Sequence, residues 1–200
     1  MATKKKNLKK LVYFFGNKKA DGNGSMKEVL GGKGAGLAEM TEIGINVPPG
    51  FTISTNVCKI FYDNNKKTPR TVASEIKENL LKLEKLTGKG FGNSKNPLLV
   101  SVRSGAMFSM PGMMDTILNL GLNDKTVLGL SKRTNNPRFA WDAYRRFIQM
   151  FSDVVLKIDK NLFEEMLEEL KAKKDVKHDI DLDDSTLKNL VQTYKKIVKS

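Results

Sequence analysis

The spacing of apolar positions changes near residue 125. Before that point, short apolar runs alternate with glycine-rich turns: LVYFF starts at residue 11, FTIS at residue 51 and LLVSVRS at residue 98. Short apolar runs bounded by glycine and proline are typical of strands in mixed structure. We therefore expect a mixed α/β subdomain over residues 1–122.

Residues 123–200 have the periodicity of helices. Apolar side chains recur every three or four positions in NPRFAWDAYRRFIQMFSDVV, which predicts a helix starting near Pro137. LFEEMLEEL and DDSTLKNLVQTYKKIVKS repeat this spacing, and Asp183, Asp184 or Ser185 can cap the last helix. The expected buried faces consist of Ala140, Tyr144, Phe147, Ile148, Phe151 and Val155; Phe163, Met166, Leu167 and Leu170; and Leu187, Leu190, Val191, Tyr194, Ile197 and Val198. No capping glycine follows before Ser200, so we expect the sequence to be a piece of a longer chain.

The net charge of +13 raises the question of nucleic acid, but the distribution of the lysines does not favour it. Apart from the N-terminal tail, lysines interleave with acids, as in LFEEMLEELKAKKD. There is no Cys/His finger spacing, aromatic RNA-binding signature or arginine-rich arm. A solvated basic surface is the simpler interpretation, and attraction for anionic ligands such as nucleotides stays open.

Cysteine content and hydropathy limit the location of the protein. A single cysteine excludes a disulfide framework, and Cys58 between Val57 and Phe61 predicts a buried, inert thiol. No apolar run approaches the roughly 18 residues of a membrane span. The apolar part of MATKKKNLKKLVYFF is too short for a secretory signal. We expect a cytoplasmic protein that does not enter a membrane.

SMKEVLGGKGAGLAEMTEIG places Gly31, Gly32, Gly34 and Gly36 around Lys33, and the apolar spacing behind them predicts a helix that begins just after the glycines. Free backbone amides beside a cation and a helix N-terminus can bind phosphate. The P-loop motif does not fit, because no Ser or Thr follows the lysine, and the dinucleotide fingerprint lacks its third glycine. A turn that packs a helix on a sheet explains the glycines about as well. Lys33 favours phosphate, since such a turn needs no ammonium group.

In LLVSVRSG, alternation places Leu98, Val100 and Val102 on one strand face and projects Arg103 from the C-terminal end of the strand. A guanidinium there can bind two phosphate oxygens, or it can be an ordinary surface or carboxylate-paired arginine. The following GAMFSMPGMM lacks the polar residues of an exposed loop. Its methionines suit a lid over a flat base or an irregular core, and the glycine and proline favour a lid.

Four segments, in this order, resemble the family of the pyruvate, phosphate dikinases: GGKGAGLAEM, VPPGFTIST, LLVSVRSGAMFSMPGMMDTILNLGLND and NPRFAWDAYRRFIQMFSDVV. The resemblance runs from about Val12 onwards and is weakest in the tail and in residues 156–200. Phosphoenolpyruvate synthases are similar in GGKG, VPPGF and the VRS strand, but they do not typically carry SMPGMMDTILNLG. The dikinases are therefore the better match.

The resemblance implies an α/β domain of the ATP-grasp type that binds nucleotide, is incomplete here and carries a helical subdomain over residues 123–200. It implies the N-terminal ATP-binding part of a transferase that makes AMP, phosphoenolpyruvate and diphosphate from ATP, pyruvate and phosphate. Lys33 and Arg103 would be the catalytic residues that contact the phosphates. The other implied nucleotide contacts are Gly31, Gly32, Gly34, Met110, Pro111, Gly112, Met113, Met114 and Asp115.

The family's magnesium-binding acids and phosphocarrier histidine lie outside this stretch. The resemblance thus implies ATP as substrate, Mg²⁺ with ligands beyond this chain, and a fragment that is inactive alone. His178, the single histidine, is expected in a solvated loop. The implied partners are a phosphohistidine domain, a pyruvate-binding barrel and, for the full-length enzyme, a second copy. The N-terminal part of a phosphoenolpyruvate synthase or water dikinase, and a stand-alone nucleotide- or nucleic-acid-binding module, remain alternatives.

Overall fold

A computed structural model describes residues 10–105 and 115–199 of the chain. Contacts between residues divide the chain into two units. Of the described residues, the first unit contains 10–88 and Gly105, and the second contains 89–104 and 115–199. The second unit thus groups a pair of strands with the helices that follow them. The subdomain boundary at residue 122 stays a prediction about the longer protein.

The first unit is built on a three-stranded antiparallel sheet in the order β2–β1–β3. Its strands are β1 (Val12–Gly16), β2 (Lys19–Ala20) and β3 (Gly50–Ile53). Its helices are α1 (Lys27–Glu42), α2 (Asn56–Asp63) and α3 (Arg70–Thr87). β1 and β3 confirm the strands predicted from LVYFF and FTIS.

The central strand β1 carries the core of this unit. Its residue Tyr13 packs with Leu30, Ala35 and Ala38 of α1. The start of the strand is tied to α3, because the amides of Leu11 and Val12 both donate to Oε2 of Glu75, at 3.0 and 2.9 Å. Apolar burial and this carboxylate together fix the strand against which α1 packs.

The second unit contains a two-stranded antiparallel sheet and four α-helices among the described residues. The strands are β4 (Val100–Arg103) and β5 (Thr116–Leu120). The helices are α4 (Thr126–Thr134), α5 (Pro137–Phe151), α6 (Asn161–Lys174) and α7 (Asp184–Ile197). A π-helical turn, Ser152–Leu156, extends α5, and a short 3₁₀ turn, Asp179–Asp181, precedes α7.

Helix caps in the second unit agree with the sequence. The side chain of Asn136 accepts from the amide of Phe139 at 2.9 Å, so α5 begins at Pro137 as predicted. Of the three cap candidates for α7, Asp183 is the cap and accepts from the amide of Thr186 at 2.7 Å. Hydrogen bonds from Thr186 lower the pKa of Asp183 to about 2.

The helices of the second unit share one apolar core. Phe163 of α6 and Tyr194 of α7 meet edge to face with ring centroids 4.9 Å apart, and the Tyr194 hydroxyl donates to the Phe163 carbonyl at 2.6 Å. The predicted faces of α6 and α7 are buried or half-buried. Val155 departs from its prediction and is 46% exposed, because the π-helical turn adds residues per turn and shifts the spacing.

The prediction of a buried Cys58 is wrong, because this side chain is exposed on α2. Val57 and Phe61, four positions apart, share the half-buried side of that helix. Cys58 is one position beyond Val57 and therefore lies about 100° around the helix. Neighbouring apolar residues in the sequence did not indicate which side the thiol takes.

Mixed helices and strands agree with the expected α/β class. None of the helices in residues 10–105 and 115–199 combines the length and the hydropathy that crossing a membrane requires.

Candidate functional site

The glycine-rich segment breaks helix α1. Gly31 has φ 69° and ψ 168°, which no helical residue adopts, so a first helical turn ends before it and a new segment begins at Gly32. Glycine reaches this left-handed region without the clash that a Cβ would cause. The sequence analysis predicted a helix that begins just after the glycines, and this prediction is wrong. It begins at Lys27, breaks at Gly31 and restarts within the glycine-rich stretch.

The glycines of this segment serve different purposes. A Cβ on Gly34 would lie 2.7 Å from Cγ2 of Thr52, so this glycine lets α1 approach β3. A Cβ on Gly36 would meet no atom within 4 Å. Close packing of a helix on a sheet therefore explains Gly34, and the helix break explains Gly31.

Lys33 lies in the first turn of the restarted helix and is half-buried. The first amides of a helix have no acceptor in the turn before them, and they carry the positive end of the helix dipole. The lysine adds its charge to the same turn. This arrangement favours an anion with several oxygen atoms, such as a phosphate group.

Arg103 is the last residue of β4 and is exposed, which confirms its predicted position at the end of the strand. It pairs with Thr116 of β5. The register shifts between Val100 and Val102, and Asn119 on the partner strand has φ 59°, which marks a bulge. The bulge interrupts the simple alternation of faces, and Val102 is 44% exposed instead of sharing the apolar face of Leu98.

Of the nucleotide contacts expected beyond Arg103, Asp115 lies among the described residues and is exposed. Its carbonyl oxygen accepts from the amide of Ser104 at 3.0 Å and from the Ser104 hydroxyl at 3.2 Å. The structure thus brings Arg103 and Asp115 to the same end of the β4–β5 pair. The remaining expected contacts lie outside the described residues: Met110, Pro111, Gly112, Met113 and Met114.

Lys33 belongs to the first unit and Arg103 to the second. Each unit therefore carries one of the two basic residues that the sequence singled out. Lys33 is positioned by the helix break at Gly31. Arg103 is positioned by its pairing with Thr116 at the end of the β4–β5 pair.

The described residues do not provide a metal site. Across residues 10–105 and 115–199, no group of three or more His, Cys, Asp or Glu side chains is placed to hold a metal ion. His178 is exposed, and its amide donates to Oδ2 of Asp181 at 3.1 Å, which confirms the expected solvated loop.

A glycine break beside a lysine at a helix start is an arrangement that can bind phosphate. Residues 27–73, which include α1, β3 and α2, match a family model described as pyruvate phosphate dikinase, AMP/ATP-binding domain. This match covers the helix break and Lys33.

Curated relatives extend the match along the chain. The pyruvate, phosphate dikinase of Entamoeba histolytica is 55% identical over 174 residues, which are 87% of this chain and 20% of that protein. That of Clostridium symbiosum is 50% identical over 192 residues, 96% of this chain and 22% of that protein. The chloroplastic pyruvate, phosphate dikinase 1 of Zea mays is 51% identical over 192 residues, 96% of this chain and 20% of that protein.

The chain spans about a fifth of the length of the curated relatives it matches. It is similar to the N-terminal part of pyruvate, phosphate dikinases. The resemblance found in the sequence is thereby confirmed.

Proposed function

We propose that this chain is the ATP-binding part of a pyruvate, phosphate dikinase, an enzyme that converts ATP, pyruvate and phosphate to AMP, phosphoenolpyruvate and diphosphate. The observation that carries the proposal is identity of 50–55% to dikinases from an amoeba and a bacterium over at least 87% of the chain. The helix break beside Lys33 supports it, since the break falls within the segment that matches the ATP-binding family model.

In this proposal, the turn formed by Gly31, Gly32, Lys33 and Gly34 binds the terminal phosphates of ATP. Arg103, the last residue of β4, also binds phosphate oxygens in this proposal. Two cations stabilise the charge that develops as phosphoryl groups leave ATP, which is the main demand of such chemistry. The further nucleotide contacts of this proposal are Met110, Pro111, Gly112, Met113, Met114 and Asp115.

The rest of the enzyme completes the reaction. An ATP-grasp domain that extends beyond these 200 residues supplies the Mg²⁺ ligands, a separate domain supplies the phosphocarrier histidine, and a barrel binds pyruvate. The full-length protein is a cytoplasmic homodimer, and this portion alone does not turn over. A phosphoenolpyruvate synthase is not favoured, since the curated relatives described above are dikinases.

A phosphate-dependence assay of the full-length protein tests the proposal. ATP, pyruvate and Mg²⁺ should yield AMP and phosphoenolpyruvate only when inorganic phosphate is added, with one diphosphate formed per AMP. Phosphoenolpyruvate formed without added phosphate would assign the chain to a synthase. Absence of AMP formation under both conditions in a folded protein would contradict both enzymes and leave a binding module.

A further inference from the structure

Thr55 lies between β3 and α2, at the cap position of α2, but its side chain does not cap that helix. A threonine at a helix start ordinarily accepts a hydrogen bond from an amide of its own first turn. Here the Thr55 hydroxyl donates to the carbonyl oxygen of Glu28 at 2.5 Å. The Thr55 amide donates to the carbonyl oxygen of Val29 at 2.8 Å. Both hydrogen bonds therefore reach across to α1.

Glu28 and Val29 belong to the helical turn that ends at the Gly31 break. In an uninterrupted helix, their carbonyls accept from the amides of residues 32 and 33. A break changes the direction of the chain and leaves carbonyls at the end of a turn in need of other donors. Thr55 supplies a donor to each of these two carbonyls, so it supports the conformation in which the helix is broken.

The other side of the break packs against β3, the strand that precedes Thr55. Gly34 lies so close to Thr52 of β3 that an added Cβ would be 2.7 Å from its Cγ2 atom. The segment from Thr52 to Thr55 thus contacts α1 just before and just after Gly31. This double contact fixes the direction in which the restarted helix presents Gly32 and Lys33.

We propose that Thr55 is a positioning residue for ATP, which holds the helix break so that Gly32 and Lys33 meet the phosphates in a preset geometry. The inference rests on the proposed function and deepens it. Preorganised donors bind developing charge without reorganising during the reaction, so loosening the break weakens the interaction with ATP. Thr55 acts through α1 and does not itself contact the nucleotide.

The test compares Thr55→Val with Thr55→Ser in the full-length dikinase. Valine keeps the branched shape and removes the hydroxyl donor, whereas serine keeps the donor. Thr87→Val is the matched control, because the Thr87 hydroxyl also donates to a backbone carbonyl, that of Leu83 at 2.8 Å, but within its own helix. Steady-state kinetics give KM and kcat for ATP and KM for pyruvate, and urea unfolding gives the stability of each variant.

Loss of one such hydrogen bond corresponds to a change of about three- to tenfold in a binding constant. We expect Thr55→Val to raise KM for ATP by that factor with KM for pyruvate unchanged, and Thr55→Ser and Thr87→Val to match the wild type. Thr55→Ala takes the place of Thr55→Val if valine prevents folding. An unchanged KM for ATP in a folded variant lacking the hydroxyl, or a failure of both variants to fold, would overturn the inference.

Lys33→Ala separates this inference from the proposed function. If Lys33→Ala impairs the use of ATP but Thr55→Val does not, the proposed site stands and the positioning role is wrong. If neither substitution affects the use of ATP, the glycine-rich turn is not the phosphate site, and both proposals fail at that turn.

Discussion

The amide of Ser104 donates a hydrogen bond to the carbonyl oxygen of Asp115 at 3.0 Å, and the Ser104 hydroxyl reaches the same oxygen at 3.2 Å. These bonds join the two ends of the segment that connects β4 to β5. Arg103 directly precedes this closure and pairs with Thr116. The backbone of Arg103 is therefore held in place by its pairing with Thr116 and by the adjacent hydrogen bonds between Ser104 and Asp115.

Replacing Arg103 tests its proposed contact with ATP. Charge-assisted hydrogen bonds contribute about 1.5–3 kcal/mol each, so Arg103→Ala should lower kcat/KM for ATP by about 10- to 100-fold in the full-length enzyme. Arg103→Lys keeps the charge but cannot bind two oxygens in parallel, and its effect should fall between those of wild type and alanine. Arg133→Ala, at an exposed arginine of the same unit, is the control. Equal activity of Arg103→Ala and the control would remove Arg103 from the site.

Lys33→Ala should also weaken the interaction with ATP, through the loss of a positive charge rather than of paired hydrogen bonds. The lysine adds positive charge to the first turn of a helix, so its removal should raise KM for ATP and steepen the loss of activity at low ATP concentration. Lys27→Ala is the matched control, because Lys27 is an exposed lysine before the break in the same helix. Initial rates over a range of ATP concentrations distinguish the two variants. If both raise KM equally, general surface charge accounts for the effect.

Two glycines of α1 should respond oppositely to alanine. In Gly34→Ala, the new Cβ would lie 2.7 Å from Cγ2 and 3.0 Å from Oγ1 of Thr52, and overpacking of this kind costs about 1–3 kcal/mol. In Gly36→Ala, the Cβ enters open space within a helix, where alanine is favoured over glycine by up to about 1 kcal/mol. Urea unfolding midpoints of the 200-residue chain should fall for the first variant and rise for the second. A stabilised Gly34→Ala would show that α1 does not pack closely on β3.

The helices of the second unit were predictable because their apolar periodicity is long and uninterrupted. The start of α5 at Pro137 follows from the proline, which is favoured in the first turn of a helix. For α7, the sequence offered three candidate caps and did not show that Asp183 is the one used. Val155 was misplaced because sequence spacing does not reveal where an α-helix changes to a π-helical turn. Periodicity predicts the face of a helix only while the number of residues per turn stays constant.

The candidate site was predictable in its residue types but not in its geometry. Glycine and lysine content indicated a phosphate-binding turn. The carbonyls of Glu28 and Val29, just before the break at Gly31, accept hydrogen bonds from Thr55, which is 24 positions further along the chain than Gly31. No short motif marks such a contact. The bulge opposite Val100 and Val102 also depends on strand pairing, which a single strand pattern does not contain.

The exposed thiol of Cys58 should react readily in the folded chain. A disulfide reagent such as dithiobis(nitrobenzoic acid) should modify one thiol per chain without denaturant, because solvent exposure gives the reagent access. Cys58→Ser supplies the blank. A thiol that reacts only after urea is added would show that α2 turns this residue inward.

A charge network around the buried Arg145 connects α5 to the 3₁₀ turn before α7. The stability of the folded chain should depend on Arg145. Arg145 is 3% exposed, and its Nη2 atom lies 2.6 Å from Oδ1 of Asp142 and 3.0 Å from Oδ2 of Asp179. Both carboxylates keep another partner, Arg146 or Lys171. Arg145→Met should therefore lower the free energy of unfolding by about 3 kcal/mol, the lower end for a broken buried pair. Arg146→Met, at an exposed arginine, is the control and should change it much less.

The same network predicts how stability depends on pH. Burial alone would raise the pKa of Asp179, but the positive charge of Arg145 and the hydrogen bond and charge of Lys171 outweigh it, so the pKa is lowered from 3.8. The unfolded chain consequently binds protons at this carboxylate at a higher pH than the folded chain does. The contribution of Asp179 is complete well above pH 3.8 and is lost as the pH falls through its lower pKa in the folded state.

Asp179→Asn removes this titration. The variant should be less stable than the wild type at pH 7, and the difference between their urea midpoints should shrink as the pH falls below 3.8. Taking the difference between the two proteins cancels the titration of the other acids. Asp175→Asn, at an exposed acid just before this turn, should show no such convergence. A difference that stays constant between pH 7 and pH 3 would mean that Arg145 and Lys171 do not hold Asp179 in its charged form.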